Sequence, residues 1–392
     1  MKRLVLAGAG HAHALVLRDL ALAPLSGVEV TVVSPLPLAP YSGMVPGWLA
    51  GHYAFDDIVV DFARLCAAAG ARWIEGEIDG LDASRRQVRL VGGAELSYDT
   101  LSLNIGSTLR PPPISHAALL PLRPLTELRA RYEALLARLA SDNASVALVV
   151  TSVGGGAAGF EALLAVLARL RATLDRPVQG GWMSRGTDLL TGVSAPARRA
   201  ALQALQGAGV TVQLGTAWCG AKDRGSDIML WATGAEAHDW QRDPARRGSL
   251  AVDEQGFIRI DEHLRSVSHP QVFAVGDCAR WSAGALPKAG VYAVRMGPVL
   301  ANNLRAALGA STVPRVFSPQ RRFLALLATG DGRAIASRGP FGAEGRWVWR
   351  WKDRIDRRFL AQFHGLPLRC AEPSAHLIRA SAPTARHTGE TA

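Results

Sequence analysis

The sequence predicts an α/β fold built on two strand–glycine–helix turns, with a tail of different character. Three observations carry that reading. The stretch SVALVVTSVGGGAAGFEALLAVLARL passes from a β-branched run, Val146 to Val153, through glycines into helix formers, Ala162 to Leu170. A second such turn opens the chain, where Arg3 to Ala7 runs into Gly8-Ala9-Gly10-His11-Ala12-His13. Short apolar runs elsewhere also stop at glycine: Tyr98 to Gly106, Ile228 to Ala232 before Thr233-Gly234, and Gln271 to Val275 before Gly276. Strands that end at glycine and feed helices belong to α/β chains. Two such turns predict two Rossmann-like dinucleotide-binding domains.

The stronger turn is the central one. Gly154, Gly156 and Gly159 give G-x-G-x-x-G, with Gly155 inside it. Gly154 permits the tight turn, Gly156 lets backbone approach a pyrophosphate, and Gly159 lets helix and strand pack closely. The free N–H groups and positive end of the helix then face two phosphates. A membrane span is the rival for so uncharged a stretch, but Glu161 and the glycine cluster oppose it.

Length and composition bound the rest. A chain of 392 residues supports two or three domains. The net charge of +11 implies anionic partners such as phosphates or acidic lipid, and no nucleic-acid motif accompanies it. Cys66, Cys219, Cys278 and Cys370 stand far apart without C-x-x-C spacing. That argues against a disulfide framework or structural metal and for a reducing, cytoplasmic compartment. Lys2 and Arg3 precede an apolar run as in a signal peptide, yet Gly8, Gly10, His11, His13, Arg18 and Asp19 interrupt it, so a strand–turn–helix reads better.

In the first turn, His13 takes the place of the third glycine, which predicts looser helix–strand packing, with the helix starting at Ala14. The strand Val28 to Val33 ends at Ser34, where a dinucleotide site usually has an acid for a ribose. A serine hydroxyl is a weaker substitute. The His11/His13 pair lacks a third ligand at metal spacing, so no metal is expected. Pro40 to Gly47, PYSGMVPG, is too rich in Gly and Pro for a helix. Its backbone can approach a flat ligand with Tyr41 and Met44 beside it, or form an ordinary surface loop. Ala71 to Gly80 and Gln87 to Val91 read as strands around an Asp82–Arg86 turn. Pro111-Pro112-Pro113 is stiff and marks a boundary.

The expected division is 1–115 and 254–312 as two parts of one domain, 116–253 inserted between them, and 313–392 as the tail, disordered after about 380. The inserted domain opens with a helix, Leu125 to Leu139. Its strand Val178 to Ser184 ends at Arg185, which suits a 2′-phosphate and favours NADPH over NADH. Val210 to Leu214 and Ile228 to Ala232 follow. After the return, Gly256 to Ile260 and Gln271 to Val275 are strands, and Asp277 follows the latter, placed to accept hydrogen bonds from ligand hydroxyls. Pro287-Lys288-Ala289-Gly290 opens a helix through Leu308, whose N-terminus is another positive dipole end.

These stretches together resemble the two-dinucleotide-domain flavoproteins of the pyridine nucleotide–disulfide oxidoreductase superfamily. The resemblance implies that the first glycine turn (Gly8, Gly10, His11, Ala12), with Ser34, Tyr41, Ser42 and Gly106, holds FAD. It implies that VGGGAAGFE at Val153–Glu161 holds NADH or NADPH, with WATG at Trp231–Gly234 closing that domain. VFAVGDCA at Val272–Ala279 resembles the second FAD motif, with Asp277 on the ribityl chain. GAGHAH, PYSGMVPG, PKAGVYAVR and RWVWRWKDRIDRRFL resemble a subgroup near type II NADH dehydrogenases and sulfide:quinone oxidoreductases, one that occurs joined to or beside selenide, water dikinase. The superfamily's paired C-x-x-x-x-C is missing, so disulfide reduction is not expected, and the quinone motif of type II dehydrogenases is absent.

The resemblance puts Lys288 beside the flavin, where it would stabilise negative charge; a surface lysine capping a loop is the plain alternative. It puts Glu161 near the nicotinamide; charge stabilisation of a helix N-terminus is the alternative. Cys278 and Cys370 are the candidates for the thiols that sulfide oxidation would need. Trp347, Trp351, Ile355 and Phe359 share one helical face in Arg346 to Leu360, surrounded by arginines and Lys352. That helix either lies on anionic lipid or docks on the FAD domain. The expected function is electron transfer from NAD(P)H through FAD to a quinone or similar small acceptor. The alternatives are oxidation or reduction of a sulfur or selenium species, and a flavin-binding regulatory protein.

Overall fold

Two parallel sheets carry the architecture. The computed structural model describes residues 1–114, 117–142, 144–220, 225–320, 322–369 and 378–379. The first sheet runs, in spatial order, Val272–Ala274, Thr100–Leu103, Lys2–Ala7, Val28–Ser34, Arg72–Glu75 and Ile378–Arg379. The second runs Ala118–Pro121, Ile228–Trp231, Leu148–Val153, Val178–Met183 and Val210–Gln213. Every pairing within them is parallel. The α/β class agrees with the sequence reading. The chain lays down four strands of the first sheet, departs to build the second, and returns with Val272–Ala274.

Parallel strands buried on both faces need near-continuous apolar runs. Val28–Ser34 shows this, its last five residues being buried. The helices His11–Leu22 and Gly290–Ala307 pack together on the first sheet, with Gly297 against Leu15 and Arg305 paired to Asp19 at 2.6 Å. One continuous apolar core joins both sheets.

The tail forms an antiparallel sheet of Ala325–Ala328, Ala334–Arg338 and Phe341–Gly345, followed by the helix Arg346–Ala361. This helix buries Val348, Lys352, Asp356 and Leu360, which stand four apart on one side. The aromatic face expected from the sequence lies one residue back, and Trp347, Trp351 and Ile355 point outward. Among the described residues no helix is long and apolar enough to cross a membrane.

Three local expectations are corrected. The run Ala71 to Gly80 is two strands in different sheets, Arg72–Glu75 and Ile78–Asp82, separated where Gly76 N–H donates to Ser34 O. Pro40 to Gly47 does not stay irregular, because Val45–Leu49 is a short helix. Pro46 falls in its first turn, where a missing N–H costs nothing. The first helix begins at His11 and not at Ala14. Cys370 and the residues beyond 379 lie outside the described residues.

Candidate functional site

Asn104, at the end of the strand Thr100–Leu103, organises the first glycine turn. Its Oδ1 accepts from the N–H groups of Ala12 (3.1 Å) and His13 (3.3 Å), and its Nδ2 donates to Val275 O at 3.1 Å. A side chain on Gly8, at φ +97°, would run into the backbone of Asn104, and one on Gly10 into its amide. His13 does not loosen the packing as expected. Its ring is fully buried, with Nδ1 2.7 Å from Gly8 O and Nε2 2.8 Å from Ser102 Oγ, so it fills the space a glycine would leave and ties helix to sheet. Burial pushes its pKa down to about 4.

Two residues of this turn and the next strand have their polar groups engaged within the protein. Ala12 is buried and gives its N–H to Asn104. Ser34 is buried too, and its hydroxyl donates to Leu36 O at 3.3 Å. It is turned into its own loop.

The second turn is open. Gly156, Ala157 and Ala158 are exposed at the start of the helix Ala157–Thr173, which has no side-chain cap. Uncapped amides at a helix N-terminus suit a phosphate. Gly154 sits at φ +126° with its carbonyl accepting from Trp182 Nε1 at 2.8 Å, and Gly159 packs against Gly154 O and Ala232. Gly155 lies over the Ser184 side chain, and Arg185 next to it is exposed. Gly234 has open space around it, as does Gly106 at φ +70°. The carboxyl edges of the two sheets are tied by Thr108 and Glu236, which exchange backbone hydrogen bonds of 2.9 and 3.0 Å.

Around the first turn several groups gather. The His11 ring accepts from Ser42 N–H at 3.4 Å and stands edge-on to Tyr41, with centroids 5.2 Å apart. Burial lowers its pKa to about 4, partly offset by Asp277. Ser42 Oγ lies beside Gly290, just past Ala289, the N-cap residue of the helix Gly290–Ala307. Gly276 is at φ +69° over the Asn104 amide. Asp277 bonds Arg123 at 2.5 Å. Lys288 Nζ donates to Ala279 O at 2.7 Å and lies 3.5 Å above the Phe257 ring. Burial pulls its pKa down to about 8, opposed by Cys278, Asp277 and Asp253. Cys278 is fully buried, and burial pushes its thiol up to about 11.

The tail helix closes this region. Phe359 stacks on Tyr41, with centroids 4.6 Å apart. Lys352 pairs with Asp356 at 2.6 Å, their side chains 7% and 8% exposed, and also donates to Gly43 O. Burial raises the Asp356 carboxyl, with Lys352 opposing. Tyr53 donates to Asp353 at 2.7 Å. Among the described residues no group of three His, Cys, Asp or Glu could hold a metal ion. Nothing in the sequence singles out Arg123 or Asp356, and Lys352, expected in the basic border of the aromatic face, is buried instead. A polar residue ending the otherwise apolar LSLNIG was a usable signal for Asn104.

Glu161 belongs to both units. It sits in the second turn of the nucleotide-type helix and accepts from Ala328 N–H of the tail sheet at 2.8 Å. Burial raises its pKa to about 7, with Lys352 and the Ala328 amide opposing. Unfolded glutamate titrates near about 4.3. Folding therefore favours the protonated form, and this stabilisation is present below about pH 4 and lost as pH rises through 7. Glu161→Gln keeps the accepting oxygen and removes the titration. The variant is expected to match wild type near pH 4.5 and to exceed it by about 3 kcal/mol at pH 8. Urea unfolding across that range measures the difference, and a difference flat with pH would show that Glu161 ionises normally.

Comparison with known proteins bears on this geometry. A family model described as pyridine nucleotide-disulphide oxidoreductase matches residues 2–297. An NADH dehydrogenase-like protein of Mycobacterium tuberculosis is 27% identical over 315 residues, covering 71% of this chain and 73% of that protein. An alternative NAD(P)H-ubiquinone oxidoreductase of Arabidopsis thaliana is 24% identical, covering 67% of this chain and 58% of its own length. The fold is shared with sulfide:quinone oxidoreductase from Aquifex aeolicus, at TM-score 0.73, 14% identity and coverage of 95% and 93%. It is shared too with NDH2 from Plasmodium falciparum solved with NADH, at TM-score 0.71, 13% identity and coverage of 94% and 99%.

Proposed function

The chain belongs to the pyridine nucleotide-disulphide oxidoreductase family, and from that premise we propose that it is an FAD-dependent enzyme taking a hydride from NAD(P)H and passing two electrons to a quinone or another small acceptor. The observation that carries this reading is the pair of glycine turns on the carboxyl edges of two parallel sheets, tied together by Thr108 and Glu236. Ligands of open parallel sheets bind at such edges.

Bound flavin would supply the hydride-accepting chemistry. The residues present fit it: backbone amides at Gly10 and His11 for the pyrophosphate, Asp277 for hydroxyls, and Lys288 with the following helix N-terminus as positive potential. The exposed amides of Gly156 to Ala158 suit the nicotinamide nucleotide, and Arg185 suits a 2′-phosphate. Tyr41 and Phe359, stacked on one another, would shield a bound ring from water.

A quinone in the membrane would be reached through the tail helix. Trp347, Trp351 and Ile355 are 57%, 40% and 39% exposed, and Arg346, Arg350, Arg354 and Arg358 surround them. An apolar strip inside a basic border suits anionic lipid. The alternative sulfur or selenium reaction has less support, because Cys278, which faces Lys288, is buried and pushed up in pKa.

Mixing the FAD-loaded protein with NADH or NADPH in a stopped flow is expected to bleach the flavin, and a short-chain quinone to restore its colour. Bleaching by neither nicotinamide would end the reading; recolouring by polysulfide or selenite but not quinone would move the acceptor. In the same preparation, sedimentation with anionic vesicles is expected to fall at least about tenfold in Trp347→Ala/Trp351→Ala.

A further inference from the structure

Arg123 makes a contact between the two sheet-bearing units. It follows the strand Ala118–Pro121 and precedes the helix Leu125–Ala140, so it belongs to the inserted unit. Its neighbour Leu122 donates to Trp231 O at 3.0 Å, which fixes this backbone to the second sheet. Its side chain nevertheless crosses to the first. Nη1 reaches Asp277 Oδ2 at 2.5 Å and also Ser107 Oγ, while Nη2 reaches Lys288 O at 3.4 Å. Ser107 Oγ stands 3.5 Å from the same Asp277 oxygen. One guanidinium thus gathers three separate segments of the first unit.

We propose that Arg123 is the positioning residue for the flavin: it grips Asp277 by Oδ2 and leaves Oδ1 to receive a ribityl hydroxyl, coupling flavin retention to the seating of the inserted unit. This deepens, and rests on, the flavin reading given above. Among the described residues Oδ1 has no hydrogen-bond partner, whereas Oδ2 has two. The Arg123 and Asp277 side chains are 26% and 18% exposed, so the pair is sheltered without being sealed from a ligand. The job needs the forked group. A lysine ammonium can neutralise Asp277, but it lacks the planar fork that holds a carboxylate and a carbonyl at once. The charges also matter. Arg123 and Lys288 flank one carboxylate, leaving a net positive site where an electron-rich ring would sit.

The test is titration of the flavin-free protein with FAD, read by fluorescence quenching, with the midpoint potential of the bound flavin as second readout. Arg123→Met is expected to raise the Kd at least tenfold and to make the potential more negative, with Arg123→Lys in between. In an Asp277→Asn background, Arg123→Met is expected to add less than twofold, because it acts through that carboxylate. A Kd within twofold of wild type and an unchanged potential in Arg123→Met would overturn the proposal. So would full multiplication of the two single effects. Should Arg123→Met not fold, Arg123→Lys decides: a Kd raised severalfold supports the proposal and an unchanged one overturns it. Wild-type protein that takes up no FAD is a different result, overturning the functional reading and this proposal with it.

Discussion

Lys352→Met is expected to destabilise the protein by about 3–5 kcal/mol at neutral pH, because it strands the Asp356 carboxylate without its cation. Both side chains are over nine-tenths buried, and the ammonium also satisfies Gly43 O. The loss should shrink in acid. Burial already raises the Asp356 carboxyl; without Lys352 it rises further, so protonation at low pH relieves the penalty and deprotonation at higher pH restores it. Replacing both partners, Lys352→Met with Asp356→Leu, is expected to recover most of the stability. Urea midpoints at pH 5 and pH 8 read each step. A single variant as stable as wild type at pH 8 would mean that the tail helix does not seat on the Pro40–Gly47 segment through this pair.

Gly154→Ala is expected to weaken NADPH binding roughly 100-fold, which is about 2.7 kcal/mol. At φ +126° an alanine is strained by about 1–3 kcal/mol. Its Cβ would also meet the carbonyl of Ala232, which closes the turn from the neighbouring strand. Relief requires the turn to move away from the helix N-terminus, whose uncapped amides suit a phosphate. FAD content serves as the control, since the first glycine turn is on the other sheet. Intact FAD content with an NADPH affinity within threefold of wild type would remove the nucleotide from this turn.

Much of this arrangement is legible in the residues, and the part that is not has a physical cause. The strands Val28–Ser34 and Leu148–Val153 announce themselves by β-branched runs, Lys2–Ala7 by a short apolar run before glycine, and the central turn by three glycines with distinct jobs. Such signals are local. Asn104, Arg123 and Lys352 act on partners 92, 154 and 309 positions away, and no spacing in the chain encodes that. His13 misled for a related reason. Its deviation from glycine looks like a loss of packing until Ser102 arrives from a distant strand to bond its ring. On the tail helix the aromatic stripe was plain, but the docked side is the next one round. A buried Lys–Asp pair reads as surface in any hydropathy pattern.

The ring of His13 has one further consequence. Gly8 O can only accept, so Nδ1 must carry the proton, Nε2 must be the acceptor, and the Ser102 hydroxyl must donate. The wire from strand to loop therefore runs one way and is uncharged. With His11 neutral as well near pH 7, the mouth of the first bed brings no formal charge of its own. The formal charges gathered beside it are those of Asp277, Arg123 and Lys288, so the local field can be retuned through those three without touching the uncharged wire through His13.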